Sequence, residues 1–295
     1  MKKIKIDIPN IIISLVFVLV SIACLYPLLL VIGVSFTDES AISEYGFHVI
    51  PKEWSLDSYR YVVSSGKTIL RAYGVTIFVT VVGTVISTFV VALYAYAISR
   101  RDFKYRKIFT FIALFTMLFS GGTVAGYMVT TGVLHLKNNI WVMILPYVMN
   151  AWYVIVMRSF YSMSIPTAII EAAKIDGANE YATYFRIVMP LSLPGLATIA
   201  LFATLTYWND WWLPLLYITE PEKYNLQYLL QSMISNIQNL TENSALMGST
   251  ALLADVPKEG ARMALCIIAT GPILIVYPFF QKYFIQGLTV GSVKE

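Results

Sequence analysis

Residues that build soluble catalytic and metal sites are scarce in this sequence. It contains two cysteines and two histidines, and only 13% of its 295 residues are charged. Cys24 and Cys266 lie far apart in apolar runs, so they predict neither a CxxC metal site nor a disulfide framework. His48 and His135 are isolated and lack the HExxH pattern of a zinc protease. We therefore predict no catalytic residues and no metal site.

A nucleotide-binding loop is also missing. Gly66-Lys67-Thr68 ends like the GxxxxGK[ST] pattern, but Tyr61 stands where that pattern needs a glycine. The net charge of +4 is too small to indicate a nucleic-acid partner. We expect this chain to bind no cofactor and no nucleic acid.

Apolar residues, in contrast, are abundant. They make up 58% of the chain, and the mean hydropathy of +0.68 is more than one soluble core can bury. Crossing a bilayer takes a helix of ~20 apolar residues. Six stretches meet that length: 11–35, 73–98, 108–128, 140–160, 190–218 and 264–284. The sequence thus predicts an all-α membrane protein with six transmembrane helices in one domain, residues 1–295.

The basic residues indicate which side of the membrane each loop occupies. An even number of spans places both termini on one side, and 13 of the 21 Lys and Arg residues fall on that side. The shortest loop carries the densest group, from Arg100 to Lys107. Because cytoplasmic loops are enriched in Lys and Arg, we expect both termini to be cytoplasmic.

One cytoplasmic segment, about residues 162–190, is the longest polar insertion on that side. Its pattern predicts a short helix, a turn at Asp176-Gly177 and a second short helix. A membrane protein that exposes some thirty residues in this way offers them to a partner. We therefore expect a protein contact here.

The same segment carries a family resemblance. Glu171-Ala172-Ala173, then Asp176-Gly177-Ala178, then Ile187-x-x-Pro190-Leu191-x-x-Pro194 resembles the EAA loop of ABC importer membrane subunits of the maltose type. The tail from Phe280 to Lys294 and the Trp208-Asn209-Asp210 run are similar to that family as well. The resemblance covers nearly the whole chain.

The resemblance implies an importer type I permease fold and a carbohydrate substrate of the oligosaccharide class. It implies that Glu171, Ala172, Ala173, Asp176, Gly177 and Ala178 contact a cytoplasmic ATPase. The tail, residues 285–295 with Gly287 and Gly291, is expected to reach between the ATPases. The implied partners are a second homologous permease, an ATPase dimer that holds ATP and Mg, an extracytoplasmic solute-binding protein and membrane lipid. The implied location is the bacterial cytoplasmic membrane, with several passes.

The run Trp208-Asn209-Asp210-Trp211-Trp212 is predicted near the outer end of the fifth span. Helical spacing places the three tryptophans on one face, as in an aromatic belt that anchors a helix at the lipid headgroups. Asp210 is costly at that depth unless it faces water, the bundle interior or a partner. Trp208, Asn209, Asp210 and Trp211 are therefore substrate-path candidates, with interfacial anchoring as the other interpretation.

Two further patterns concern packing. In the outer segment 219–263, Leu226, Leu229, Leu230, Met233, Ile237 and Leu240 form the stripe of an amphipathic helix. This helix either contacts a partner or packs on its own bundle, and the sequence does not decide between them. Gly122-x-x-x-Gly126 in the third span favours close packing of helices inside the bundle over a dimer contact.

The alternative function is an ion-coupled secondary transporter of a small polar solute. Such a carrier is expected to bury several ionisable groups at mid-membrane, whereas the predicted spans hold essentially Asp210 alone, near one end. An intramembrane protease would need paired aspartates or a Ser with a membrane His, and neither pattern is present. The sequence therefore favours the permease subunit.

Overall fold

A computed structural model of the chain describes residues 8–64, 66–247 and 258–290. Within these ranges the regular structure is helical, apart from one antiparallel bridge between Thr37 and Trp54. Before residue 150 the α-helices are α1 Ile8–Ser35, α2 Glu39–Tyr45, α3 Asp57–Ser64, α4 Gly66–Ser99, α5 Arg106–Leu118 and α6 Gly122–Met128. After it they are α7 Ala151–Ser164, α8 Thr167–Ile175, α9 Glu180–Thr183, α10 Met189–Leu191, α11 Leu193–Trp208, α12 Trp212–Tyr217, α13 Leu226–Met247 and α14 Lys258–Val290.

The chain divides into two compact units. The first comprises residues 1–67 and 232–272, and the second comprises residues 68–231 and 273–295. In the first unit, the carboxylate of Glu39 accepts hydrogen bonds from the backbone N–H groups of Glu259 and Gly260, at 3.1 and 3.2 Å. Glu39 thus caps the first turn of α14, where unpaired N–H groups favour a negative charge.

Among the described residues, two continuous helices and three bent helix pairs are candidates for five of the six predicted spans. Ile12–Ser35 and Gly66–Ser99 are each long and apolar enough to cross a membrane. Three more candidates are bent pairs: Arg106–Leu118 with Gly122–Val133 at 113°, Ile140–Tyr147 with Ala151–Ser164 at 46°, and Glu180–Leu191 with Leu193–Trp208 at 79°. The sixth predicted span lies inside α14. The expectation of one continuous helix per span is therefore wrong for three ranges: 108–128, 140–160 and 190–218.

Local residues explain the breaks. Gly122 has φ +79°, a left-handed conformation that a helix interior does not contain, so α5 and α6 turn sharply there. At the second break, the Asn150 side chain accepts from the Trp152 N–H at 2.9 Å and starts α7 as a new helix. A β-carbon at Gly126 would meet no described atom within 4 Å. The predicted close packing at Gly122 and Gly126 is thus wrong for the described residues, because the glycine run makes a turn.

The second unit has a buried core made largely by α4, α7 and α11. Tyr207 of α11 is almost fully buried, and its hydroxyl donates to the Ile144 carbonyl at 3.0 Å. A β-carbon on Gly83 of α4 would lie 2.6–2.7 Å from atoms of the Tyr207 ring. Only glycine at position 83 allows α4 and this ring to approach so closely.

The amphipathic stripe predicted in the outer segment falls on α13. Leu226, Leu229, Leu230 and Ile237 are all buried within the chain itself. Packing on its own protein therefore accounts for these four positions, and the Leu240 side chain lies outside the described side chains.

Candidate functional site

Helices α8 and α9 meet at a tight turn with a regular helix end. Gly177 has φ +79°, and its N–H donates to the Lys174 carbonyl at 3.1 Å. The Ala178 N–H donates to the Ala173 carbonyl at 2.9 Å. This pair of bonds is the Schellman arrangement, which satisfies carbonyls that the end of α8 would leave unpaired. The turn predicted at Asp176-Gly177 is present.

The second helix starts just as quickly. The Asn179 side chain accepts from the Ala182 N–H at 2.8 Å, which caps the first turn of α9. Only Asp176, Gly177, Ala178 and Asn179 separate α8 from α9. Because both helix ends are capped locally, the relative direction of α8 and α9 is set by a short, well-bonded turn.

The predicted contact residues of this segment differ in how exposed their side chains are. Glu171, Ala172, Asp176 and Gly177 are exposed, Ala178 is half-buried, and Ala173 is buried against the rest of the chain. Two large apolar side chains beside them project outward: Ile175 is 87% exposed and Tyr181 is 79% exposed. An exposed apolar pair on a polar projection is the pattern of a protein contact. The resemblance did not single out either residue.

A cluster of charges holds this segment to the end of α4. The Lys174 ammonium lies 2.6 Å from Asp102 Oδ2 and 3.5 Å from Glu180 Oε1. The Arg100 guanidinium lies 2.8 Å from Asp102 Oδ2 and 3.3 Å from Glu180 Oε1. The Tyr96 hydroxyl donates to Glu180 Oε2 at 3.3 Å. We call Arg100, Asp102, Lys174 and Glu180 the four-charge cluster.

Electrostatics within the four-charge cluster favour its charged form. Hydrogen bonds from Arg100 and Lys174 hold the pKa of the Asp102 carboxyl well below its ordinary value. The hydrogen bond to Asp102 raises the pKa of the Lys174 ammonium. The Arg100 side chain is only 10% exposed. Its charge is therefore stabilised by its carboxylate partners more than by water.

Sequence reasoning missed this cluster. The Arg100–Lys107 loop was interpreted only as a topology signal, and Asp102 within it was given no role. The signal was an acidic residue in an otherwise basic loop, but the sequence alone does not show which distant residue it pairs with.

The Trp208-Asn209-Asp210 run has a different geometry from the predicted one. Helix α11 ends at Trp208 and α12 begins at Trp212, so the run spans a break and the tryptophans do not share one helix face. Trp208 is buried, whereas Trp211 and Trp212 are exposed. The break has a local cause, because Asp210 Oδ1 accepts from the N–H groups of Trp212 and Leu213, at 3.1 and 3.3 Å.

Asp210 itself is only 7% exposed and has partners within the chain. The Tyr147 hydroxyl donates to Oδ1 at 3.2 Å, and the Asn225 amide donates to the Asp210 carbonyl. Asn209, in contrast, is exposed, and its amide donates to the Leu205 carbonyl at 2.9 Å. Asp210 Oδ1 is thus used within the chain, Oδ2 is buried without a hydrogen-bond partner among the described residues, and Asn209 and Trp211 lie at the surface.

The structure describes one of the two predicted tail contacts. Gly287 lies within α14, and Gly291 lies outside the described residues. In the part of the chain that the structure describes, no group of three or more His, Cys, Asp or Glu side chains is arranged to hold a metal ion.

Comparison with known families identifies the protein class. Residues 96–290 match the model of the family described as binding-protein-dependent transport system inner membrane component. The chain belongs to this family. It is therefore a multi-pass, non-catalytic permease component of the inner membrane, and membership implies ATPase and binding-protein partners. This assignment replaces the alternative of an ion-coupled carrier.

Similar permeases extend over nearly the full length of the chain. The chain is 39% identical over 274 residues to the polygalacturonan/rhamnogalacturonan transport system permease protein YtcP of Bacillus subtilis, covering 93% of this chain and 94% of that one. It is 40% identical over 268 residues to Protein LplC of Bacillus subtilis, covering 91% and 88%.

A solved structure shows the same fold. This is the crystal structure of a bacterial ABC transporter involved in the import of the acidic polysaccharide alginate, and one of its chains is 27% identical to this permease. The TM-score is 0.80, over 96% of this chain and 99% of that chain. The importer permease fold is thus supported by the structure as well as by the family.

Proposed function

We propose that this permease forms half of the translocation pathway of an ATP-driven importer for an oligosaccharide. Its partners in the proposal are a second homologous permease, an ATPase dimer that holds ATP and Mg, and an extracytoplasmic solute-binding protein. The observation that carries the proposal is the α8–α9 projection, with its bonded Gly177 turn and its exposed Ile175 and Tyr181. The carbohydrate class is supported by the polygalacturonan/rhamnogalacturonan transport system of YtcP and by the alginate importer named above.

The proposed topology has six spans with both termini in the cytoplasm. The distribution of Lys and Arg supports it, because 13 of the 21 lie in the terminal segments and in the loops on their side. In this topology residues 162–190 and the tail 285–295 face the ATPases, and residues 219–263 face outward. The whole chain, residues 1–295, acts as one permease domain.

A labelling experiment tests the topology. Tyr105 is exposed in the basic loop, and Ile50 is exposed between the first two predicted spans. With Cys24 and Cys266 replaced by serine, we expect Tyr105→Cys to react only with reagents on the inner side. Ile50→Cys is expected to react only with outer-side reagents, and reversed labelling would contradict the six-span arrangement.

Coupling is proposed to run through Glu171, Ala172, Ala173, Asp176, Gly177 and Ala178. Glu171, Asp176 and the exposed apolar side chains contact the ATPase, while buried Ala173 seats α8 on the permease. When ATP closes the ATPase pair, α8 and α9 move, and the four-charge cluster carries that movement to the end of α4. Gly287 and Gly291 are proposed to let the tail pass close to the ATPases.

The substrate path is proposed to include the surface of the Trp208–Trp211 run. Asn209 and Trp211 offer an amide and an aromatic face, which suit sugar hydroxyls and sugar rings. Asp210 and Trp208 are buried and act by holding the break that presents these two side chains.

The test of the function is reconstitution. The chain, co-expressed with its partner permease, ATPase and binding protein, is placed in proteoliposomes that are loaded with ATP. We expect uptake of an oligosaccharide, and oligogalacturonides are the first to test because of the similarity to the polygalacturonan/rhamnogalacturonan permease YtcP. Malto-oligosaccharides serve as the control for the choice of sugar. Proteoliposomes loaded with ADP instead of ATP serve as the control for the energy source. Absence of ATP-dependent uptake for every oligosaccharide would overturn the proposal.

A further inference from the structure

A basic cavity lies in the second unit, beside α8. It has a volume of about 460 Å³ and lies between the end of α4, the start of α5, the C-terminal part of α7 and α8. Ligand sites typically measure about 300–1,000 Å³, so it can hold a small polar group. Its cationic side chains are Arg100, Arg101, Arg106, Arg158 and Lys174.

The charge of this cavity is not balanced by the chain. Asp102 and Glu171 also line it, and Glu180 pairs with Arg100 and Lys174, so the five cations and these three carboxylates leave a net charge of +2. Asp102 is already paired with Arg100 and Lys174. Arg101, Arg106 and Arg158 form no ion pair with any carboxylate of the described residues. These three cations are therefore available to bind an anion from outside the chain.

The surroundings of the cavity match a lipid. Arg106 is the first residue of α5, and Ile108, Phe109 and Phe111 on the following turns expose large apolar side chains. An acyl chain can lie along that apolar surface while its headgroup occupies the basic cavity. In the topology proposed above, on which this placement rests, the cavity faces the inner leaflet, where basic pockets between helices bind anionic headgroups.

We propose that this cavity binds the phosphate of an anionic phospholipid headgroup. The non-bridging oxygens of a phosphodiester accept paired hydrogen bonds from a guanidinium, which favours arginine over lysine at such a site. Arg106 and Arg158 supply unpaired guanidinium groups, and Arg101 adds a third unpaired cation. Because Lys174 and Glu171 belong to α8, a bound lipid contacts the helix that is proposed to meet the ATPase.

The test compares two double variants with the same loss of charge. The cavity variant is Arg106→Gln with Arg158→Gln, and the matched control is Lys107→Gln with Arg186→Gln, which lie outside the cavity lining. The full complex is delipidated in detergent, and its unfolding temperature is followed while phosphatidylglycerol, phosphatidylcholine or inorganic phosphate is added. A third variant, Arg106→Lys with Arg158→Lys, keeps the charge and shows whether the site tolerates substitution.

We expect phosphatidylglycerol to raise the unfolding temperature of the unmodified complex, and phosphatidylcholine to have little effect. The cavity variant should bind phosphatidylglycerol roughly 30-fold more weakly, since each basic residue near an anionic lipid contributes about a factor of five. The control variant should match the unmodified complex, and the lysine variant should lie between the two.

Three results would overturn the proposal. Equal protection by inorganic phosphate would assign the cavity to a soluble anion, and equal lipid binding by the cavity and control variants would place the lipid elsewhere. Release of the ATPase by the cavity variant, with the lipid response unchanged, would make the cavity a protein contact. Failure of the labelling at Tyr105 and Ile50 would contradict the proposed topology independently of these readouts.

Discussion

The Lys174 ammonium lies 2.6 Å from a carboxylate oxygen of Asp102, which precedes it by 72 residues. This ion pair joins α8 to the loop that follows α4, and Arg100 and Glu180 extend it to α9. The segment proposed to meet the ATPase is thereby tied to one of the two continuous membrane-length helices among the described residues. A link of this kind is what coupling across the membrane requires.

Asp102→Asn tests this link. The substitution removes the charge that pairs with Arg100 and Lys174 while preserving the shape of the side chain. We expect normal membrane insertion and ATPase binding, but a loss of about 0.5–2 kcal/mol in coupling free energy, measured as sugar transported per ATP hydrolysed. Asp57 forms an exposed ion pair with Arg60 between the first two predicted spans, and Asp57→Asn is the control. Unchanged coupling in Asp102→Asn would leave the cluster without a role in transport.

The effect of Asp102→Asn should not depend on pH between 5.5 and 7.5. Arg100 and Lys174 hold the folded-state pKa of Asp102 below its ordinary value. A lowered carboxyl pKa contributes stability above the unfolded pKa, and that contribution is lost only as the pH falls through the lowered value. Coupling measured at both pH values should give the same ratio of variant to unmodified protein. A ratio that approaches one at pH 5.5 would show that Asp102 is already protonated there.

Gly177→Val tests the turn of the coupling segment. A β-carbon at Gly177 meets open space among the described residues, so the cost comes from its φ of +79° and amounts to on the order of 1–2 kcal/mol. We expect α9 to tilt and ATPase binding to fall, while membrane-fraction abundance stays unchanged. Gly177→Asn is the matched control, because asparagine tolerates the left-handed conformation. Equal loss of binding in both variants would place the cause elsewhere.

Gly83→Ala tests the packing between α4 and α11. The added methyl would lie 2.6–2.7 Å from the Tyr207 ring, and the ring is held by its hydrogen bond to Ile144. Overpacking of this kind costs about 1–3 kcal/mol, so the unfolding temperature in detergent should fall. Gly74→Ala, in the same helix and facing open space, should have little effect. If both variants keep the unmodified stability, α4 and Tyr207 are not in close contact in the membrane.

Asn209 and Asp210 are expected to differ although they are neighbours. Asp210→Ala removes the cap of α12 and should lower stability by about 0.5–2 kcal/mol, whereas Asp210→Asn keeps the oxygen that accepts from Trp212 and Leu213. Asn209→Ala should leave stability and basal ATP hydrolysis unchanged but alter the relative uptake of different oligosaccharides. Identical uptake of every sugar by Asn209→Ala would return this run to a structural role.

Local signals in the sequence predicted much of the fold. The apolar runs correctly located α1 and α4, and Asp176-Gly177 correctly located a turn whose conformation needs glycine. The breaks at Gly122 and Asp210 were missed because hydropathy counts apolar residues and does not register a left-handed glycine or a side-chain cap. The four-charge cluster was missed because the pairs that join its two halves, Asp102–Lys174 and Arg100–Glu180, are 72 and 80 positions apart in sequence. No local pattern specifies such pairs.

Site-directed cross-linking shows whether the α8–α9 projection contacts the ATPase. In a chain with Cys24 and Cys266 replaced by serine, a cysteine is placed at Tyr181 or, as a control on the opposite side of the proposed membrane, at Ile50. The complex is then treated with a short bifunctional thiol reagent. We predict a cross-linked product of permease and ATPase from Tyr181→Cys, weakened by adding Gly177→Val, and none from Ile50→Cys. Absence of that product from both Tyr181→Cys and Ile175→Cys, in a complex that still transports sugar, would contradict the account.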